Sequence, residues 1–149
     1  MRDAAPSKSQ AKILLVDDNR AGLVARKSVL EELGHDITIA STPLDAIEQF
    51  KDLNFDIVVT DFKMPTMNGV ELIRELRAIQ PAIPVILISG FSEALGLNEE
   101  TTGANIVIQK SAQEVAQLIR GVTRLARRVP RKPARPQGPS VAANKKRKA

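Results

Sequence analysis

A chain of 149 residues with 43% hydrophobic residues holds enough apolar material for one core, and the absence of cysteine excludes disulfide frameworks and thiolate metal sites. Its net charge of +5 is unevenly placed: residues 127 to 149 hold nine Lys or Arg and no acid, which leaves 13 of the 22 basic residues against 17 acids, a balance of −4 ahead of Arg127. No apolar run approaches the roughly 18 residues of a membrane span, and Met1 to Ala11 lacks the apolar stretch of a signal peptide, so a soluble cytoplasmic protein is expected.

Residues 1–11 are expected to form a short flexible lead-in. The first apolar run, Ile13-Leu14-Leu15-Val16, ends in Asp17-Asp18. A helical segment from about Ala21 to Leu33 follows, stopped by Gly34. Asp36-Ile37-Thr38-Ile39-Ala40 alternates polar and apolar residues, as an edge strand does. Thr42-Pro43 opens the next helix with a capping hydroxyl and a proline at the first helical position, and Asp45 stands close to a capping-box arrangement. The run Ile57-Val58-Val59-Thr60 ends in Asp61. Asn68-Gly69 opens a third helix, predicted to bury Leu72, Ile73, Leu76 and Ile79 and to end before Pro81.

The run Val85-Ile86-Leu87-Ile88 ends in Ser89. Between Ser92 and Gly103 the residues Gly96, Asn98, Thr101 and Thr102 are poor helix formers, so a short or frayed helix is expected there. Ile106-Val107-Ile108-Gln109 leads to Lys110. A last helix is predicted to start at Ser111 with Glu114 at capping-box spacing, and to bury the stripe Val115, Leu118, Ile119, Val122 and Leu125. Beyond Arg128, four prolines and the near loss of large apolar residues predict a disordered basic tail over 129–149.

Alternation of short apolar runs with helix-period segments predicts an α/β domain: five parallel strands with helices on both faces. The runs at 13–16, 57–60, 85–88 and 106–108 are expected to be buried on both faces. In such sheets ligands bind beyond the carboxyl ends of the strands. Asp17, Asp18, Asp61, Ser89 and Lys110 all stand there. Taken singly, a strand-end Asp is most simply a cap or loop former, Ser89 a turn residue and Lys110 a solvated lysine. Together they suit a hard divalent cation, which relieves repulsion among the acids, and a phosphoryl group.

These residues carry a resemblance to the receiver domains of two-component response regulators. It covers about Lys12 to Arg128 and rests on Leu15-Val16-Asp17-Asp18, on the segment from Asp61 through Met64-Pro65 and Met67 to Asn68-Gly69, on Ser89-Gly90 and on Lys110. The resemblance implies a flavodoxin-like doubly wound sheet of strand order 2-1-3-4-5. It implies that Asp61 accepts a phosphoryl group from a sensor histidine kinase or histidine phosphotransfer protein, in a Mg²⁺-dependent reaction. Asp18, Asp61 and the backbone carbonyl of Lys63 would ligate Mg²⁺ directly, and Asp17 through a water. Ser89 would bond a phosphoryl oxygen, and Lys110 would pair with Asp61 at rest and with the phosphate afterwards. Lys63 and Phe91 occupy variable positions facing the phosphate, where Phe91 is expected to hinder attacking water. Met64, Pro65 and Met67 are given structural roles.

Two positions depart from the family pattern. Val107 stands where an aromatic residue usually reports phosphorylation, and Ser111 stands where proline usually follows the lysine. A trans bond or a reshaped loop is expected at Ser111, since a non-proline cis bond costs about 2.5–4 kcal/mol. Output by the family's usual route is therefore in question. The basic stretch 127–149 suits nucleic acid or an anionic surface through charge alone, or acts as a solubilising tail; no aromatic residue is interleaved for base stacking. Two rival readings are a Mg²⁺-dependent phosphohydrolase with Asp61 as nucleophile, and a constitutive adapter that binds through the tail. The hydrolase would need a proton-transfer group near Asp61, yet the lone histidine, His35, falls at the opposite end of the sheet.

Overall fold

The computed structural model describes residues 10–90 and 95–129. Residues 1–9 of the lead-in, Phe91 and nearly all of the basic tail lie outside the described residues; Ala11, expected to be part of the flexible lead-in, is instead buried in the core beside β1. Five strands and five helices alternate: β1 (Lys12–Val16), α1 (Arg20–Glu32), β2 (Asp36–Ala40), α2 (Pro43–Asp52), β3 (Ile57–Asp61), α3 (Gly69–Ile79), β4 (Val85–Ser89), α4 (Glu99–Thr102), β5 (Ile106–Gln109) and α5 (Glu114–Arg128). The strands form one sheet in the order β2-β1-β3-β4-β5, and every pairing is parallel. This is the flavodoxin-like arrangement the resemblance implied.

Alternation along each strand divides the core in two. Ile13 and Leu15 of β1, Ile57 and Val59 of β3 and Ile86 and Ile88 of β4 face Leu23 and Leu30 of α1 and Leu118, Val122 and Leu125 of α5. Leu14, Val16, Val58, Val85 and Leu87 face Phe50 of α2 and Leu72, Ile73 and Leu76 of α3. With helices on both faces, β1 after Lys12, and all of β3 and β4, are buried at every position. Val16 pairs in register with Thr60, Asp61 with Ile88, and Ser89 with Gln109. The polar residues at the ends of four strands are therefore brought level along one edge of the sheet.

Local chemistry explains most element ends. Asn19, Thr42 and Asn68 cap α1, α2 and α3 by accepting from backbone N–H groups. Asn68 and Glu71 complete a reciprocal capping box. In α2, Asp45 does not reach back to close such a box; its carboxylate takes the Gln49 side-chain amide at 3.1 Å. The fourth helix is a single turn, Glu99–Thr102, as the composition of that segment predicts.

Several expectations need correction. The last helix begins at Glu114, not Ser111; its N-cap Gln113 makes no side-chain cap bond, and the Glu114 carboxylate accepts from Arg26. Of the predicted stripe, Val115 is exposed and Ile119 only half-buried. Ile79, at the last turn of α3, is also exposed. Finally, β5 is not buried on both faces: Ile106 and Val107 are half-buried, because β5 is the sheet's outer strand and a one-turn α4 cannot cover it. The remaining edge strand is β2, as expected, but its burial does not strictly alternate: Thr38 and Ile39 are both half-buried. His35 is buried at its start, and His35 Nδ1 accepts the Ala11 N–H at 3.1 Å. Burial lowers the His35 pKa below its ordinary 6.5.

Candidate functional site

At the end of β1 the backbone turns sharply into α1. Asp17 is buried, and its Oδ1 accepts the Asn19 N–H at 2.9 Å, which directs the chain into the helix. Asp18, the next residue, is exposed. Asp61 ends β3 and is 3% exposed. One carboxylate oxygen from each of Asp17, Asp18 and Asp61 lies within 4.8 Å of the other two. The three acids line a groove of about 630 Å³ together with Asn19, Lys63, Met64, Pro65 and Lys110.

Lys110 enters from beyond β5, and its Nζ stands 2.9 Å from Asp61 Oδ1. Apart from Lys110, that oxygen has no hydrogen-bond partner among the described residues. Burial raises the Asp61 pKa; Lys110 opposes the rise, Asp17 adds to it and Arg26 opposes it. A buried, under-coordinated carboxylate oxygen amid three converging acids fits a hard divalent cation such as Mg²⁺, which takes oxygen donors and retained waters. Ser89 is buried at the end of β4, one strand over from Asp61. It does not line the groove, although the Lys110 N–H donates to the Ser89 carbonyl at 2.9 Å. Of the residues singled out by sequence, five thus share one groove (Asp17, Asp18, Asp61, Lys63 and Lys110), and Ser89 stands behind it.

The loop after Asp61 is shaped by its neighbours. The Gly69 N–H donates to the Phe62 carbonyl at 2.7 Å. A Cβ on Gly69 would stand 2.5 Å from the Asp61 carbonyl oxygen and 2.6 Å from Leu87, so only glycine fits there. Thr66 sits at φ 69°, bracketed by a Met67 N–H to Pro65 carbonyl bond of 2.8 Å, an i to i+2 turn. The peptide between Lys110 and Ser111 is trans. The Ser111 hydroxyl accepts the Gln113 N–H at 3.1 Å, a reshaped entry into α5.

Sequence reasoning missed Arg26 and gave Glu114 only a capping role. Arg26 of α1 is buried, and its Nη1 contacts Asp17 Oδ2 at 2.7 Å. Its Nε and Nη2 hold Glu114 Oε2 at 3.0 and 2.9 Å. Burial works against the Arg26 charge, but the Glu114 and Asp17 carboxylates outweigh it and hold its pKa above the ordinary value. The available signal was an arginine inside the buried stripe Leu23, Arg26, Leu30 of α1.

Comparisons with known proteins agree with this geometry. The family model for the response regulator receiver domain matches residues 13–122. A probable histidine kinase 1 from Oryza sativa subsp. indica is 40% identical over 76 residues, 51% of this chain and 8% of that protein. The transcriptional regulatory protein ZraR of Escherichia coli K12 is 32% identical over 80 residues, 54% of this chain and 18% of that protein. The chain therefore spans less than a fifth of either relative's length. Among solved structures, a Francisella response regulator receiver domain superposes with a TM-score of 0.71 at 29% identity, covering 79% of this chain and 98% of that one. The response regulator TrrA of Thermotoga maritima, solved in complex with Mg²⁺-BeF, gives 0.69 at 28% identity over 76% of this chain and 97% of that one. With the family model spanning most of its length, the five strands in the order 2-1-3-4-5 and the acids gathered at their carboxyl ends, this chain belongs to the response regulator receiver domain family.

Proposed function

We propose that this chain is a phosphorylation-controlled switch in two-component signalling, with Asp61 as the phospho-acceptor. An Asp61 carboxylate oxygen attacks the phosphorus of a phosphohistidine on a histidine kinase or histidine phosphotransfer protein. The new O–P bond forms as the P–N bond breaks, and the electron pair of that bond stays on the partner's imidazole nitrogen. Such a transfer asks a protein for positioning and charge neutralisation more than for covalent chemistry. Asp18, Asp61 and the Lys63 carbonyl would hold Mg²⁺, which would supply positive charge near the equatorial phosphoryl oxygens. Asp17 acts through a water, consistent with its two oxygens already serving Asn19 and Arg26. Lys110 moves its charge from Asp61 to the arriving phosphoryl group, a displacement suited to a flexible point charge. Ser89 donates its hydroxyl to the same group from β4. The TrrA structure with Mg²⁺-BeF supports this use of the fold.

The observation that carries the reading is the buried Asp61 carboxylate, faced by Lys110 at 2.9 Å and by two further acids. Residues 12–128 form the receiver in this reading, and 129–149 a basic tail open to anionic partners. The lone histidine, His35, precedes β2 at the far end of the sheet from the acids, which favours an acceptor over a turnover hydrolase that uses a histidine. No helix among the described residues is long and apolar enough to cross a membrane. Incubation with acetyl phosphate and Mg²⁺ followed by intact mass measurement tests the assignment. One phosphoryl increment is expected, absent in Asp61→Asn and under chelation; an increment that persists in Asp61→Asn overturns it.

A further inference from the structure

Arg26 is a charge placed on an apolar helix face, between Leu23 and Leu30. Desolvating a guanidinium is costly, so such a group persists only when its donors are met by fixed acceptors. Here the planar fork spans two acids from opposite ends of the chain, Asp17 after β1 and Glu114 at the first turn of α5. A lysine head, a single point charge, does not bridge two carboxylates in this way. Gly22, one turn before Arg26, makes the contact feasible: a Cβ there would lie 3.0 Å from Asp17 Oδ2 and 3.6 Å from Arg26 Nη1. Glu114 forgoes a capping-box role at α5 to make this pair.

We propose that Arg26 is a positioning residue that fixes Asp17 and straps the acid site to the start of α5 through Glu114. The segment from Lys110 to Glu114 is then clamped at both ends by the site, Lys110 on Asp61 and Glu114 on Arg26 and thence Asp17. Asp17, Asp18, Asp61 and Glu114 against Lys63, Lys110 and Arg26 leave a formal charge of −1, a cluster that draws a divalent cation. Water held by a cation among the acids competes with Arg26 for Asp17, and a phosphoryl group draws Lys110 from Asp61. Each event loosens one clamp. The start of α5 therefore registers the state of the site by a route that needs no aromatic residue at position 107.

This inference rests on the cation reading of the acid site, and its test separates the two. Amide NMR spectra of the full chain are titrated with MgCl₂ for wild type, Glu114→Gln, Arg26→Gln and Arg26→Lys. In wild type, amides at 114–118 shift and saturate at the same Mg²⁺ concentration as those at 17–19 and 61–63. In Glu114→Gln the acid-site amides still shift and saturate, at an equal or somewhat higher Mg²⁺ concentration, while the 114–118 response falls to roughly a third or less, as expected when one arm of a coupling is cut. Arg26→Gln loses the α5 response and binds Mg²⁺ about 3- to 10-fold more tightly, since one screened positive charge has left the cluster. Arg26→Lys returns the cation affinity toward wild type without returning the α5 response. An undiminished 114–118 response in Glu114→Gln overturns the strap, as does unchanged or weakened Mg²⁺ binding in Arg26→Gln.

Absence of saturation at 17–19 and 61–63 in wild type instead overturns the cation reading. In that case amide hydrogen exchange without metal decides on the strap alone. Residues 115–118 should exchange about tenfold faster or more in Arg26→Gln and Glu114→Gln, as for a helix end released from a buried tether. Equal exchange in all proteins overturns the strap.

Discussion

Replacing Asp61 with asparagine should abolish phosphoryl acceptance and yet stabilise the resting fold. Asp61 is 3% exposed, and burial raises its pKa above the ordinary 3.8, with Lys110 opposing and Asp17 adding to the rise. A carboxyl group whose pKa is raised by folding holds its proton more tightly in the folded chain. Its contribution to stability is complete below pH 3.8 and is lost as pH rises through the folded pKa, so at neutral pH the ionised group is a net cost. The acid oxygens lie within 4.8 Å of one another. Two unit charges at that separation repel by about 3.5 kcal/mol at an effective dielectric near 20. Arg26 offsets most of the Asp17 charge, and Asp18 is exposed and screened, which leaves a repulsion of roughly 1–2 kcal/mol. Loss of the Lys110 pair subtracts only about 0.5 kcal/mol, because the lysine side chain is 42% exposed. Relief of the buried charge adds to the gain.

The balance is a stabilisation of about 1–2 kcal/mol, or roughly 4–10 °C in Tm for a domain of this size. Thermal unfolding followed by circular dichroism at pH 7 in EDTA reads it directly. The gap should close as pH falls toward 3.8, where the wild-type carboxyl takes its proton. Added Mg²⁺ should reverse the order, since a ligand at 100 times its Kd stabilises the wild type by about 2.7 kcal/mol while the variant lacks one acid donor. An asparagine variant that melts below wild type in EDTA refutes the reasoning, as does an equal Mg²⁺ shift in both proteins.

Three further outcomes follow from the same geometry. Gly69→Ala puts a Cβ 2.5 Å from the Asp61 carbonyl oxygen, so it should cost about 2–4 kcal/mol in urea unfolding and slow phosphorylation by acetyl phosphate; wild-type behaviour in both assays contradicts the close approach. Thr66→Gly releases a β-branched residue from φ 69° and should raise stability by about 1 kcal/mol, seen as a higher urea midpoint at unchanged slope; a lowered midpoint contradicts it. Burial depresses the His35 pKa, and its Nδ1 must stay an acceptor for the Ala11 N–H, so stability present above pH 6.5 should decline as pH falls through the folded pKa. His35→Gln should remove that part of the pH dependence, and parallel pH profiles for the two proteins would count against it.

The strand-end residues and the helix signals were legible because they are local. A four-residue apolar run identifies a buried strand and names the side chain that leaves it, which places Asp17, Asp18, Asp61 and Lys110 at one edge once the strands are parallel. Glycine at 69 and the polar residues of 96–102 likewise announce a tight turn and a one-turn helix. Burial of the outer strand was not legible, since Ile106-Val107-Ile108 reads the same whether one neighbour or two flank it. Nor was the start of α5: Ser111 and Glu114 have capping-box spacing, but a buried guanidinium claims the glutamate.

The sequence by itself determined a five-stranded α/β receiver fold and the acid cluster at its strand ends, because backbone period and strand-end chemistry are written within a few residues. Only the tertiary structure decided that Arg26 joins Asp17 to a glutamate 88 residues further along. That choice depends on α1 and α5 packing on the same face of the sheet, where a lone charge is expelled from the core unless carboxylates meet it.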